Sequence, residues 1–134
     1  MAFEYGVLGR SGGRSAQAAL EQLLDFLEAE NAGVSRGEIT LGDGWAATDI
    51  RIRRPGEKEL EQYVQVSVGG EIPQLYVELA TAASSEFDVT GVDLMLNTTL
   101  SGVSDPVLND LIQGYALPEW NGILWDETSG FHLR

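Results

Sequence analysis

Apolar and polar positions along this chain repeat with two different periods, and the changes of period predict its elements. Phe3, Tyr5 and Val7 alternate, which predicts a short first strand. A glycine-rich turn overlaps its end and runs on to Arg14, with glycines at 6, 9, 12 and 13. Ser15 is a suitable N-cap. After it Ala16, Ala19, Leu20, Leu23, Leu24 and Leu27 fall at helical spacing and mark the apolar face of an amphipathic helix. Gly33 reads as its C′ residue.

The period then shortens to two. Ile39-Thr40-Leu41 predicts a short strand ending at Gly42-Asp43-Gly44. Ala46 to Arg54 sets Ile50 and Ile52 against Arg51 and Arg53. Leu60 to Val68 alternates again, with Leu60, Gln62, Val64, Val66 and Val68 on one side. Pro55-Gly56-Glu57-Lys58 between them completes a hairpin. Gly69-Gly70 breaks this run. Leu75, Val77 and Leu79 alternate with Tyr76 and Glu78 and predict a third strand. Phe87 to Val89 and Val92 to Leu96 predict a fourth, interrupted at Gly91.

Asp105-Pro106 opens a second helix with Asp at the N-cap and Pro at N1. Val107, Leu108, Leu111 and Ile112 form its stripe, and Gly114 is expected to close it. Trp120-Asn121-Gly122-Ile123 reads as a tight hairpin, or else as a helix-to-strand loop. The order predicts an α+β fold. Its antiparallel sheet would have about four to six strands, with an N-terminal amphipathic helix and a second helix near the C-terminus. The 134 residues read as a single domain, with 1–14 as a flexible Gly-rich arm.

Charge adds a partner class to this picture. There are 21 acidic and 8 basic residues, a formal net charge of −13. Such a surface repels phosphate backbones and attracts basic proteins, so no nucleic-acid partner is expected. No apolar run reaches the ~20 residues of a membrane span, and the N-terminus has no secretory pattern. With no Cys, the chain fits a cytoplasmic protein. Seven Arg against one Lys is a bias of GC-rich bacterial genes.

Candidate chemistry is sparse. The glycines miss both phosphate-loop spacings. His132 lies two residues from the C-terminus, and Lys58 falls in an exposed turn, so neither is placed to activate a nucleophile. Asp43 with Asp49, or Asp88 with Asp93, lacks calcium-loop spacing. The pattern implies no cofactor, no metal and no enzyme. Arg51, Arg53 and Arg54 lie opposite Glu57, Glu59 and Glu61, so cross-strand pairing is expected to neutralise this basic cluster.

Glu21, Asp25 and Glu28 repel one another on the first helix, and Glu28 and Glu30 oppose its dipole. That arrangement suits a surface meeting a basic partner. Glu119, Trp120, Asp126 and Glu127 form a second candidate patch near the C-terminal turn, where one of Trp120 and Trp125 is expected in the core.

The segment Leu108 to Trp120, followed by Ile123-Leu124-Trp125, resembles the helix-Gly-Pro-strand-Trp ending of some small acidic immunity proteins of bacterial toxin–immunity systems. That resemblance implies a protein that neutralises a basic toxin by direct binding. In size, charge and α+β class the chain is also similar to secretion chaperones, which implies escort of an effector, although no long dimer helix follows the sheet. A small enzyme is the third class, and no constellation of residues points to one.

Overall fold

The computed structural model describes residues 2–101 and 105–132. Among them, eight strands form one antiparallel sheet with three helices packed on it. In chain order these are β1 (Ala2–Gly9), α1 (Ala16–Glu30), β2 (Val34–Arg36), β3 (Thr40–Gly42), β4 (Trp45–Ile52) and β5 (Leu60–Val68). There follow α2 (Glu71–Ala83), β6 (Leu94–Ser101), α3 (Pro106–Glu119), β7 (Ile123–Asp126) and β8 (Gly130–His132). In space the strands run β2-β4-β5-β6-β1-β7-β8, and β3 also pairs with β4. The class is α+β, as the pattern predicts. The short strand expected at 39–41 is present as β3, and the strand count exceeds the expected four to six because β2, β7 and β8 have only three or four residues each, too few to display an alternation.

The sheet separates two apolar layers. On one face Leu20, Leu23, Leu24 and Leu27 of α1 and Leu108, Ile112 and Ala116 of α3 meet Tyr5, Val7, Ile50, Val64, Val66 and Leu96. The β4–β5 hairpin forms in the expected register, with Ile50 and Ile52 inward and Arg51 opposite Glu61. On the other face α2 covers a smaller layer around Leu8, Ala80 and Met95.

Five expectations are overturned. The N-terminal segment is no arm: β1 lies inside the sheet, paired with β6 from Phe3↔Leu100 to Gly9↔Leu94 and with β7 from Tyr5↔Asp126 to Leu8↔Ile123. Its glycines serve close approach. A Cβ on Gly6 would collide with the Leu96 carbonyl oxygen and lie 2.5 Å from Met95 Cε, and one on Gly9 would lie 2.8 Å from Trp120 Cβ.

The expected third strand is the helix α2. Pro73, Tyr76, Val77 and Ala80 stand at i, i+3, i+4 and i+7 and pack on the sheet. Leu75, Val77 and Leu79 alternate only because two apolar stripes of one helix overlap in sequence. The expected fourth strand begins at Leu94, since Phe87 to Asp93 is a loop tied to the end of β1 through Asp93 N–H to Gly9 O at 3.1 Å.

Gly114 does not end α3, which continues to Glu119 so that Ala116 and Trp120 reach the core. The Trp120–Ile123 segment is accordingly a helix-to-strand loop, with Asn121 at φ 45°. Similarly α1 is capped at Asn31 and not around Gly33, which instead lies against the Arg53 carbonyl.

Two glycine substitutions separate these roles. Gly6→Ala forces the backbones of β1 and β6 apart and is expected to cost about 1–3 kcal/mol. Gly114→Ala, in a helix with open space around the new methyl, is expected to stabilise by about 0.4–1 kcal/mol. Urea unfolding of the two variants checks both signs.

Candidate functional site

The acidic face of α1 is partly neutralised by a residue that follows it. Arg36 on β2 reaches back to Asp25 Oδ1 at 2.6 Å and Glu28 Oε1 at 2.5 Å, and its backbone N–H donates to Glu28 Oε2 at 3.1 Å. These bonds hold the Glu28 carboxyl below its ordinary range, with the Arg36 side chain the main cause and burial opposing it. The repulsion expected among Glu21, Asp25 and Glu28 is thus relieved in the fold. Glu21 and Glu30 form no ion pair among the described residues.

The C-terminal candidates do not form one free patch. Trp120 is 1 % exposed and belongs to the core, so it cannot meet a partner. Trp125 is half-buried and packs edge-on to Tyr76. Glu119 pairs with Arg14 at 2.7 Å. Asp126 accepts from the Thr128 and Ser129 amides at 2.9 and 2.6 Å and lies 2.6 Å from His132 Nε2, closing the β7–β8 turn. Burial pushes its carboxyl up, but the two amides and His132 outweigh this and hold it below the ordinary range. His132 therefore belongs to strand β8, held by Asp126. Glu127 accepts the Glu4 N–H at 2.9 Å, which places it beside β1.

Every arginine among the described residues is engaged within the fold. Arg51 and Arg53 pair with Glu61 and Glu59 across the hairpin, as expected, at 3.7 and 3.1 Å. Arg54 departs from that pattern and pairs with Asp105, the N-cap of α3. Arg10 donates to the Thr90, Asn121 and Asp88 carbonyls at 2.8, 2.7 and 3.0 Å. The glycine-rich loop thus presents neither of its arginines to a phosphate. Asp93, which with Asp88 lacks calcium-loop spacing, is held by the Ser11 amide and hydroxyl at 2.8 and 2.7 Å. Among the described residues no group of three His, Cys, Asp or Glu could hold a metal, and no helix is long and apolar enough to cross a membrane.

The principal buried polar cluster is a closed network. Gln62 donates to Thr98 Oγ1 at 2.8 Å and to Asn109 Oδ1 at 2.9 Å, and the Tyr5 hydroxyl donates to Asn109 Oδ1 at 2.7 Å. Burial raises the Tyr5 pKa strongly, so its hydroxyl stays protonated. These groups satisfy one another and fix α3 on the sheet, which is a packing role.

The open surface lies on the opposite face. Ile72, Leu75 and Leu79 of α2 are 38, 53 and 46 % exposed, and Tyr63 on β5 is also exposed. A groove of about 310 Å³ runs between Tyr63 and the Ile72 and Leu75 end of this stripe, with Glu4, Asn97 and the Tyr76 side chain in its wall. Glu4 has its pKa raised by burial first and by the Glu127 charge second, against weaker help from Asn97 and Tyr76. Reading α2 as a strand hides this stripe. The double glycine before it, Pro73 in its first turn and the helical spacing of Pro73, Tyr76, Val77 and Ala80 are the signals that identify it. Comparison of the chain with protein-family models, curated proteins and solved structures finds no match.

The Arg36 clamp predicts a pH signature. Arg36→Met is expected to cost about 1 kcal/mol near neutrality. Because the folded Glu28 pKa is depressed, its contribution is present above the unfolded value and fades as pH falls through the folded one. The difference between wild type and variant is therefore expected to shrink in acid, which denaturant titrations at pH 7 and pH 3.5 would read.

Proposed function

We propose that this chain is an acidic protein-binding module that neutralises a basic protein partner by direct association, in the manner of an immunity protein. The observation that carries this reading is the disposition of its cations. From Glu59 to Leu133 the sequence contains twelve carboxylates and no Lys or Arg. The six arginines among the described residues are all occupied by carboxylates or carbonyls of the fold. What faces outward is therefore negative potential, which steers a basic protein into contact and selects it over neutral competitors. The resemblance of the Leu108–Trp125 segment to immunity proteins favours neutralisation over escort. In the proposed role the chain is cytoplasmic, needs no cofactor and has no catalytic residue.

Co-expression with the product of the adjoining gene tests the proposal. The expected result is relief of growth arrest together with a complex whose association rate drops by about tenfold or more between low and high salt. A complex that forms without growth relief, around a protein that is then exported, would indicate escort. Salt-independent binding, or turnover of a small-molecule substrate without any protein partner, would refute the neutralisation reading.

A further inference from the structure

We propose that the groove between α2 and the sheet is the docking site for a basic segment of a partner protein that carries apolar anchors. This rests on the reading of the chain as a module for basic partners and specifies where and how contact is made. Three observations converge on the groove.

The first is apolar. Ile72, Leu75 and Leu79 follow one another at i, i+3 and i+7 and form a continuous exposed stripe, distinct from the stripe that α2 buries. Tyr63 faces Ile72 and Leu75 from the sheet across the groove, and Leu79 carries the stripe on beyond it. A helix resting on a sheet by one stripe while showing a second to solvent leaves contact area for another chain.

The second is charge. Glu71 and Glu78 stand four residues before and three after Leu75, so both flank the stripe. No cation pairs with either among the described residues. Glu4 lines the groove itself, beside Glu127, and also lacks a cation partner there. A Lys or Arg side chain suits this arrangement, its stem lying along Leu75 and Tyr63 and its head reaching Glu4.

The third is exclusion of the alternatives. A second copy of this chain would bring the same unpaired carboxylates against each other at a net charge of −13 each. Nucleic acid and anionic lipid are repelled for the same reason. The acidic face of α1 is the rival site, but it offers no comparable apolar surface, since the leucines of α1 are buried.

Two synthetic 18-residue peptides of equal lysine content supply the test, one with leucine on its apolar face and one with serine there. The leucine peptide is expected to bind about tenfold or more tightly than the serine peptide. Its amide shift changes should centre on α2, β5 and the start of β1. Leu75→Asp, at an exposed position, and Glu4→Gln, which removes repulsion from Glu127, should each weaken binding at least severalfold without unfolding the protein. Glu21→Lys with Glu30→Lys on α1 should change it little. Equal binding of the two peptides, or loss only in the α1 variant, would overturn the groove while leaving the basic-partner reading intact. Failure of both peptides to bind at low salt would overturn both. Concentration-dependent dimerisation abolished by Leu75→Asp would assign the groove to a second copy instead.

Discussion

Strand β1 must pass beside β6 and under the end of α3 with less room than a side chain needs, and Gly6 against β6 and Gly9 against Trp120 make that passage possible. Much of the fold follows from it. With β1 in place, the first residues of the chain pair with residues about a hundred positions away, and Tyr5 and Val7 on one face and Leu8 on the other join both apolar layers. The end of the strand is then secured by Arg10, whose guanidinium collects carbonyls from the 88–90 and 121 loops, and by the Ser11–Asp93 bonds. The glycine-rich, arginine-bearing segment is thus a structural hub.

The two faces of the sheet divide the labour. One is closed by α1 and α3, and its internal polar groups are satisfied by the Tyr5–Asn109–Gln62–Thr98 network. The other is covered by a single helix whose apolar surface exceeds what the sheet beneath it can bury. The excess stripe coincides with the part of the chain that has no cations. Apolar contact area and unpaired negative charge are separately common on protein surfaces, and their meeting at one groove is what gives the proposed partner its chemistry.

Charge pairing explains why the acidic candidates fared unevenly. Glu21 and Glu30 form no ion pair among the described residues. Asp25, Glu28, Glu119 and Asp126 are committed to internal partners, and Trp120 is interior. The partner of Glu28 lies eight residues on, at Arg36, in a strand too short to announce itself. Helical spacing alone exposes the repulsion on α1 and says nothing of the guanidinium that answers it.

Local physics was legible in the sequence wherever an element was long enough to show its period and carried its own boundary residues. Ser15 and Asp105 cap their helices, and the hairpin around Pro55-Gly56 forms in register, because capping and alternation are interactions between near neighbours. The acidic balance and its partner class are equally matters of composition. Tertiary structure alone decided that β1 is interior, that α2 is a helix with two apolar stripes, and which carboxylates stay unpaired. Each of those depends on residues far apart in the chain meeting in space, so the periodicity of any one segment could not carry it.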